Sequence, residues 1–384
     1  MPMGLTPEIQ EELDLLRDSA RQLTNNRFRE KAAYWDRHSI PPIENLKALG
    51  ENGLAGITID EKYGGSGATI LHAVVAVEEI ARACSPTAAF ILANCTAAEI
   101  LQKFGTERHK ENYLPGLAGG DTLGCWAMTE PEAGSAASEM RTRAVEAGDE
   151  FEITGSKCFI TRAQVADFFI VFARVGDVQG SAGIGAFLVD RGASGLAIGA
   201  ADDHMGLRGG GSAEVILDGC RVGKDKMLIP PGSFSRIMQG LNQTRVLNPA
   251  LCLGNATEAY ELSVQYMTER KAFGRELMKF QGLQWMLADM ATDLEAMRAL
   301  IYQAAELLAD GHPEAPHKAA IAKLFAGEAA FKICDRAMQI HGGYGYSREF
   351  PLERLLRDVR AFQLGGGTNE ILRSRIASTI FRNA

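Results

Sequence analysis

The sequence predicts a multidomain α+β fold, with helices at both ends of the chain and a β-domain between them. Apolar residues keep a helical period up to about Gly120, as in Leu71 through Ile80 and again from Ala88 to Leu101. Between about Asp121 and Val222 the runs become short and β-branched or aromatic: Phe168 to Phe172, Ile184 to Val189 and Val215 to Leu217, separated by Gly and Asp turns. Strands at that spacing suit a small sandwich or barrel. From about Ser233 the helical period returns and persists. The expected boundaries are therefore 1–120, 121–232 and 233–384.

Each part has its own grounds. The stretch from Met1 to Leu23 is acidic and helical in pattern, with Ile9, Leu13, Leu16, Ala20 and Leu23 on one side. Neither a secretory signal nor an Arg-rich transit peptide has that pattern, so a cytoplasmic location is expected. No apolar run approaches the roughly 18 residues of a membrane helix. A Gly64-Gly-Ser-Gly67 loop opens the first long apolar stretch, and alanine-rich segments such as Thr96 to Ile100 favour close helix packing. In the last part Leu283, Met286, Leu287, Met290, Leu294, Met297 and Ile301 mark one face of a bundle helix, a methionine-rich stripe that reads as core. A linker is expected near Gly311 to Pro316.

Composition excludes several function classes. The net charge of −8, with no basic run, argues against a nucleic-acid surface. Seven scattered cysteines without a Cys-x-x-Cys pair suit free thiols, and seven dispersed histidines offer no metal motif.

The chemistry gathers in four blocks. Gly365-Gly-Gly367 stands before a run with helical spacing, a turn that lets backbone approach a ligand and offers helix N–H groups to an anion. Cys125 to Ser135, with Trp126, Met128 and Thr129, reads as a strand entering a Pro/Gly turn. Ile153 to Thr161 reads as a strand ending in a hydroxyl; taken alone, each of these two is also an ordinary hairpin end. Glu269 to Arg275, with Gln281, places an arginine fork where a pyrophosphate could sit.

Together with Gln339 to Tyr346, these blocks resemble the acyl-CoA dehydrogenase family from roughly residue 5 to the C-terminus. The resemblance implies N-terminal helices, a middle β-domain and a C-terminal four-helix bundle, with FAD between the last two. Trp126, Met128 and Thr129 would line the isoalloxazine, with Thr161 near N5 and Phe159 in the same segment. Ser135 would lie by the FAD pyrophosphate or the CoA side. It is followed by Ala136, where the family commonly has Asp. Arg270, Phe273 and Gln281 would hold the adenosine diphosphate of a neighbouring subunit's FAD, a shared site completed by Gln339, Gly342 and Gly343 from the other subunit. A homotetramer, an acyl-CoA substrate and, if the protein is redox-active, an electron-transfer flavoprotein as partner follow from the same resemblance.

One departure bears on mechanism. The family's turn usually carries the catalytic glutamate where this chain has Gly366, followed by Thr368 and Glu370, which are expected to be structural or FAD-facing. Some members place the base on the helix that here has Thr244. Both positions lack a carboxylate. A relocated base is one expectation, with Glu99 the candidate against the plainer reading of an exposed helix glutamate. A reaction without a base is the other: loss of carbon dioxide or of sulfite from the acyl group. The segments Ala133 to Met140 and Phe280 to Trp285 resemble 3-sulfinopropionyl-CoA desulfinases, whose sulfinate would want a pocket arginine. None occurs between Arg82 and Arg108.

Overall fold

The computed structural model describes residues 6–382, apart from the side chains at 235, 237 and 239–241; residues 1–5 of the N-terminal stretch lie outside it. Six helices open the chain: α1 (Pro7–Leu23), α2 (Ala32–His38), α3 (Ile43–Glu51), α4 (Ile70–Ala81), α5 (Ser85–Phe104) and α6 (Glu107–Ala118). Their ends follow local chemistry. Thr6 caps α1 by accepting from the Ile9 N–H, and Thr106 with His109 closes a capping box on α6. Every residue of α4 is buried, its glutamates included: Glu79 accepts from Arg21, and Glu78 from Arg298 and Tyr302.

Eight strands follow: β1 (Gly124–Ala127), β2 (Arg143–Ala147), β3 (Glu150–Ile160), β4 (Phe168–Val175), β5 (Ile184–Asp190), β6 (Leu196–Ala201), β7 (Ala213–Gly223) and β8 (Met227–Ile229). They form one sheet ordered β6-β7-β3-β2-β4-β5-β8, with β1 parallel to β4. The unbroken apolar run of β4 is explained by burial on both faces. Phe168, Ile170 and Phe172 join Leu101, Leu114 and Leu117 of α5 and α6, whereas Phe169 and Val171 join Phe151, Phe187 and Val215. Phe151 and Phe187 stand on strands that are not neighbours in the sheet, yet their rings meet edge to face at 5.1 Å. The sheet therefore curls over its own core, in keeping with the expected sandwich or barrel.

The C-terminal part is helical: α7 (Phe234–Glu269), a short hairpin of β9 (Lys271–Ala272) and β10 (Arg275–Glu276), α8 (Gln281–Ala309), α9 (Ala315–His341), α10 (Gly343–Tyr346), α11 (Leu352–Arg360) and α12 (Asn369–Arg382). Met290, Leu294, Met297 and Ile301 are buried as core, whereas Leu283, Met286 and Leu287 are only half-buried. The linker expected near Gly311 to Pro316 is instead the tight turn from α8 to α9. The Gly311 N–H bonds to the Leu308 carbonyl and the His312 N–H to that of Leu307, with Gly311 at φ +64°. These are the bonds of a glycine-terminated helix end, and Pro316 sits in the first turn of α9.

Candidate active site

The glycine turn before α12 is held from below by α9. Buried Lys323 donates to the Gly367 carbonyl at 2.6 Å, and Gln363 donates to that of Gly327 at 3.1 Å. Thr368 accepts from the Ile371 N–H at 3.3 Å and so caps α12, while Glu370 lies exposed in its first turn. Its carboxyl is held below the usual range by its own backbone N–H and the Thr368 hydroxyl. Gly366 and Gly367 have φ of +70° and +98°, values that favour glycine.

One face of α7 looks onto this turn. Residues 244, 245 and 248 fall within about one third of the helix circumference. A Cβ added at Gly366 would lie 2.7 Å from Asn248 Nδ2 and 3.8 Å from Thr244 Cγ2. Thr244 reaches across to α5, its hydroxyl 3.3 Å from that of Thr96. Among the described residues Arg245, 3 % exposed, finds only Asn242 Oδ1 at 3.4 Å, and its Nε has no partner. Burial, with repulsion from Arg375, pushes its guanidinium down to about 10. Pro249, inside α7, also removes the donor that would ordinarily meet the Arg245 carbonyl. The surroundings of Gly366 are thus hydroxyl, amide and cation.

Glu99, expected at the helix surface, is 4 % exposed. The reason is its place on the i, i+4 ridge Cys95–Glu99–Lys103, where Lys103 Nζ donates to its Oε1 at 2.5 Å. Burial pushes its carboxyl up against the opposing pull of Lys103. No hydrogen bond joins it to Thr96, Thr244 or the glycine turn.

Lys323 gives a prediction of its own. Burial, with Arg245 adding repulsion, pushes its ammonium down to about 8 from an ordinary 10.5. Between those values the folded protein has released this proton and the unfolded chain has not, so the group's contribution to stability rises with pH across that window and is at its lowest below it. The urea midpoint of the protein, measured against Lys323→Met, should shift in its favour from pH 8 to 10.5. A flat difference would contradict the depressed value.

A second group of residues lies where β1 and β3 end. The Cys158 N–H donates to the Thr129 carbonyl at 2.9 Å, and Cys125 Sγ donates to the Thr161 carbonyl at 3.1 Å. The two segments therefore run antiparallel, bringing Met128, Thr129, Phe159 and Thr161 to one ledge. Phe159 is 64 % exposed and held at φ +56°. A bare aromatic ring on strained backbone, beside two threonine hydroxyls, fits a flat heteroaromatic ligand. Trp126 is half-buried with its ring 4.4 Å from that of Phe172, and Met128 is buried, so both support the ledge from beneath. Ser135 is exposed on the turn that follows.

Sequence reasoning missed what pins this ledge. Buried Lys157 donates to Glu130 Oε1 at 2.7 Å and to the Met128 carbonyl at 3.3 Å. Glu130 also accepts from the Arg141 and Thr142 N–H groups at 2.5 and 3.0 Å. Burial pushes the Glu130 carboxyl up, but Lys157 and these donors outweigh it and hold it below its usual range. Burial pushes Lys157 down to about 8 against the pull of Glu130. The alternation of β3 could have shown the pair, since Lys157 falls on the inward phase with Ile153.

The third group sits at the far end of α7. The Arg270 guanidinium lies over Tyr344 at 5.9 Å, so the Glu269–Arg275 block and the Gln339–Tyr346 block, expected from different subunits, meet within one chain. Phe273 is 96 % exposed at the tip of the β9–β10 hairpin. Gln281, Gln339, Gly342 and Gly343 are exposed nearby. Thr244 and Arg270 are 26 residues apart on or next to one helix, about 39 Å at 1.5 Å per residue.

A helical domain, a curled β-domain bearing this aromatic and threonine ledge, and a helical bundle follow one another along the chain. Three family models match in chain order: acyl-CoA dehydrogenase N-terminal domain over residues 10–121, middle domain over 125–220 and C-terminal domain over 234–381. The chain belongs to the acyl-CoA dehydrogenase family. It is 38% identical to a short-chain specific acyl-CoA dehydrogenase of Clostridium acetobutylicum, over 97% of this chain and 98% of that one. To a 3-sulfinopropanoyl-CoA desulfinase of Paraburkholderia xenovorans it is 39% identical, over 95% of each. The solved butyryl-CoA dehydrogenase of Megasphaera elsdenii superposes with a TM-score of 0.93 at 35% identity, covering 99% of this chain and 100% of that one. Among the described residues no helix is long and apolar enough to cross a membrane, and no metal-binding cluster occurs.

Proposed function

We propose that the protein is an FAD-dependent oxidoreductase acting on a coenzyme A thioester, and that it works without a carboxylate at either position where its family carries one. The observation that carries this is Asn248: its amide stands 2.7 Å from where a side chain on Gly366 would begin, filling the place of a base. Bound FAD would supply a hydride acceptor. Phe159, Thr129 and Thr161 would hold its ring, with Trp126 and Met128 supporting them and Ser135 facing the pyrophosphate or the thioester's CoA. Thr368 and Glu370 would border it at the head of α12.

The adenosine end needs a second copy. Arg270, Phe273, Gln281, Gln339, Gly342 and Gly343 lie at the end of α7 far from Thr244, a span longer than one extended flavin dinucleotide. Exposed Phe273, Trp285 and Tyr346 on that end suit a partner's surface. We take the assembly to be a homotetramer in the cytoplasm, passing electrons to an electron-transfer flavoprotein.

Near the glycine turn Thr96, Thr244 and Asn248 offer neutral hydrogen-bonding groups, and Arg245 and Lys323 offer charge that favours an enolate. None of these takes a proton from carbon as a carboxylate does. This favours a second reading, a lyase in which an α-carboxylate is lost as carbon dioxide, its electron pair forming the enolate without a base, or a β-sulfinate is removed with water as sulfite, a proton taking its place on carbon.

Anaerobic stopped-flow mixing of the yellow protein with short, branched, dicarboxylic and sulfinated acyl-CoAs separates the two. Bleaching of the flavin establishes hydride transfer and names the substrate. Release of sulfite or carbon dioxide without bleaching establishes the lyase. Neither outcome with any thioester would overturn both.

A further inference from the structure

A cavity of about 220 Å³ opens where the three parts of the chain meet, with room for several waters or one polyatomic anion. Its walls come from α2 and the residues before it, the loop between β6 and β7, the turn after α10, and α11. Arg29, Arg37, Arg208, Arg348 and Arg354 line it, against the carboxylates of Asp36, Glu349 and Glu353. None of these residues belongs to the ledge, the glycine turn or the group around Arg270.

The charges do not cancel. Asp36 and Glu353 are already taken: Arg357, outside the wall, donates to both oxygens of Asp36 at 3.0 and 2.7 Å and to both of Glu353 at 2.6 and 3.0 Å. Burial opposes a charged Arg357, but Glu353 and Asp36 outweigh it and hold the guanidinium above its usual value. Arg29 is matched by both oxygens of Glu258, and Arg208 donates to Asp203 and to the Asp36 and His204 carbonyls. Arg354 has one bond, of 3.3 Å, to the Ala83 carbonyl. Among the described residues the side chains of Arg37 and Arg348 have no hydrogen-bond or ion-pair partner, and that of Glu349 has no cation. Three guanidiniums are thus set against a single carboxylate.

Other bonds fix the backbone that carries them. Arg357 ties α11 to Asp36 of α2, and Asp358 accepts from the Leu207 N–H at 2.6 Å, which ties α11 to the loop of Arg208. The excess charge is therefore held in place before any ligand arrives, at a cost in mutual repulsion that an anion relieves. Ala33, Phe350 and Pro351 form apolar parts of the wall, which strengthen the field inside the cavity. A guanidinium fork takes two oxygens of a phosphate, so three forks ask for more oxygens than one orthophosphate carries. A diphosphate supplies them, together with the negative charge.

We propose that this cavity is an anion site that takes a diphosphate group between Arg37, Arg348 and Arg354, joining α2 to α11. The inference is independent of the thioester reading above.

The test is calorimetric titration of the FAD-loaded protein with sodium pyrophosphate in a low-salt buffer, where charge pairing is least screened. Arg37→Ala combined with Arg348→Ala should weaken binding at least about tenfold, since each fork lost removes charge-assisted hydrogen bonds. Neither arginine leaves a partner stranded, so the double variant keeps its fold and its flavin. Glu349→Gln, which removes the unmatched carboxylate, should instead tighten binding about threefold or more. ADP and adenosine are titrated alongside. ADP binding as tightly as pyrophosphate, with no heat from adenosine, assigns the site to a nucleotide, and weaker binding by ADP assigns it to the free anion. No heat from pyrophosphate, or an affinity unchanged in the double variant, overturns the proposal.

Discussion

Gly366→Glu combined with Asn248→Ala should raise the rate of flavin bleaching by butyryl-CoA at least about 100-fold, the lower end of what a positioned general base contributes. The single substitution should not. Gly366 sits at φ +70°, where a residue with a Cβ costs about 1–2 kcal/mol, and the new side chain would start 2.7 Å from Asn248 Nδ2. Trimming Asn248 opens that space, leaving strain that the bonds from Lys323 and Thr368 can hold. Stopped-flow absorbance of both variants checks this. A double variant that retains FAD and binds the thioester without any gain would show that the pocket departs from its relatives more widely than at one residue.

Glu130→Ala should be among the most damaging single substitutions in the β-domain. It strands the Lys157 ammonium, whose side chain is 0 % exposed, and frees the Arg141 and Thr142 N–H groups. Removing one member of a buried ion pair costs about 3–5 kcal/mol. Because Lys157 also holds the Met128 carbonyl, one residue before Thr129, the loss should loosen the ledge and speed FAD release. Urea denaturation and the growth of free-flavin fluorescence measure the two effects. Replacing both partners, Glu130→Leu with Lys157→Met, should recover most of the stability, since two apolar groups leave no charge behind. A Glu130→Ala protein within about 1 kcal/mol of the parent, with FAD equally retained, would contradict this role for the pair.

Much of the architecture was legible because periodicity reports burial. The β4 run from Phe168 and the α8 stripe from Met290 to Ile301 announce themselves by spacing, and both are core. Tertiary facts were less legible. Glu99 reads as a surface residue because glutamate on a helix usually is one, and only the packing of α5 shows it buried against Lys103. Gly311 to Pro316 carries the residues of a linker, and the same residues end one helix and begin the next. The vacancy at Gly366 was readable, but its occupation by Asn248 from a helix more than a hundred residues away was not.

The central claim, that this thioester site lacks a carboxylate base, is tested most directly by following the α-protons of butyryl-CoA by NMR in deuterated buffer with the FAD-loaded protein. A base near the α-carbon exchanges those protons whether or not oxidation follows. The account expects no exchange above the protein-free rate in the parent protein, and exchange in the Gly366→Glu, Asn248→Ala variant. Rapid exchange in the parent would mean that another group reaches the α-carbon and that the site does contain a base.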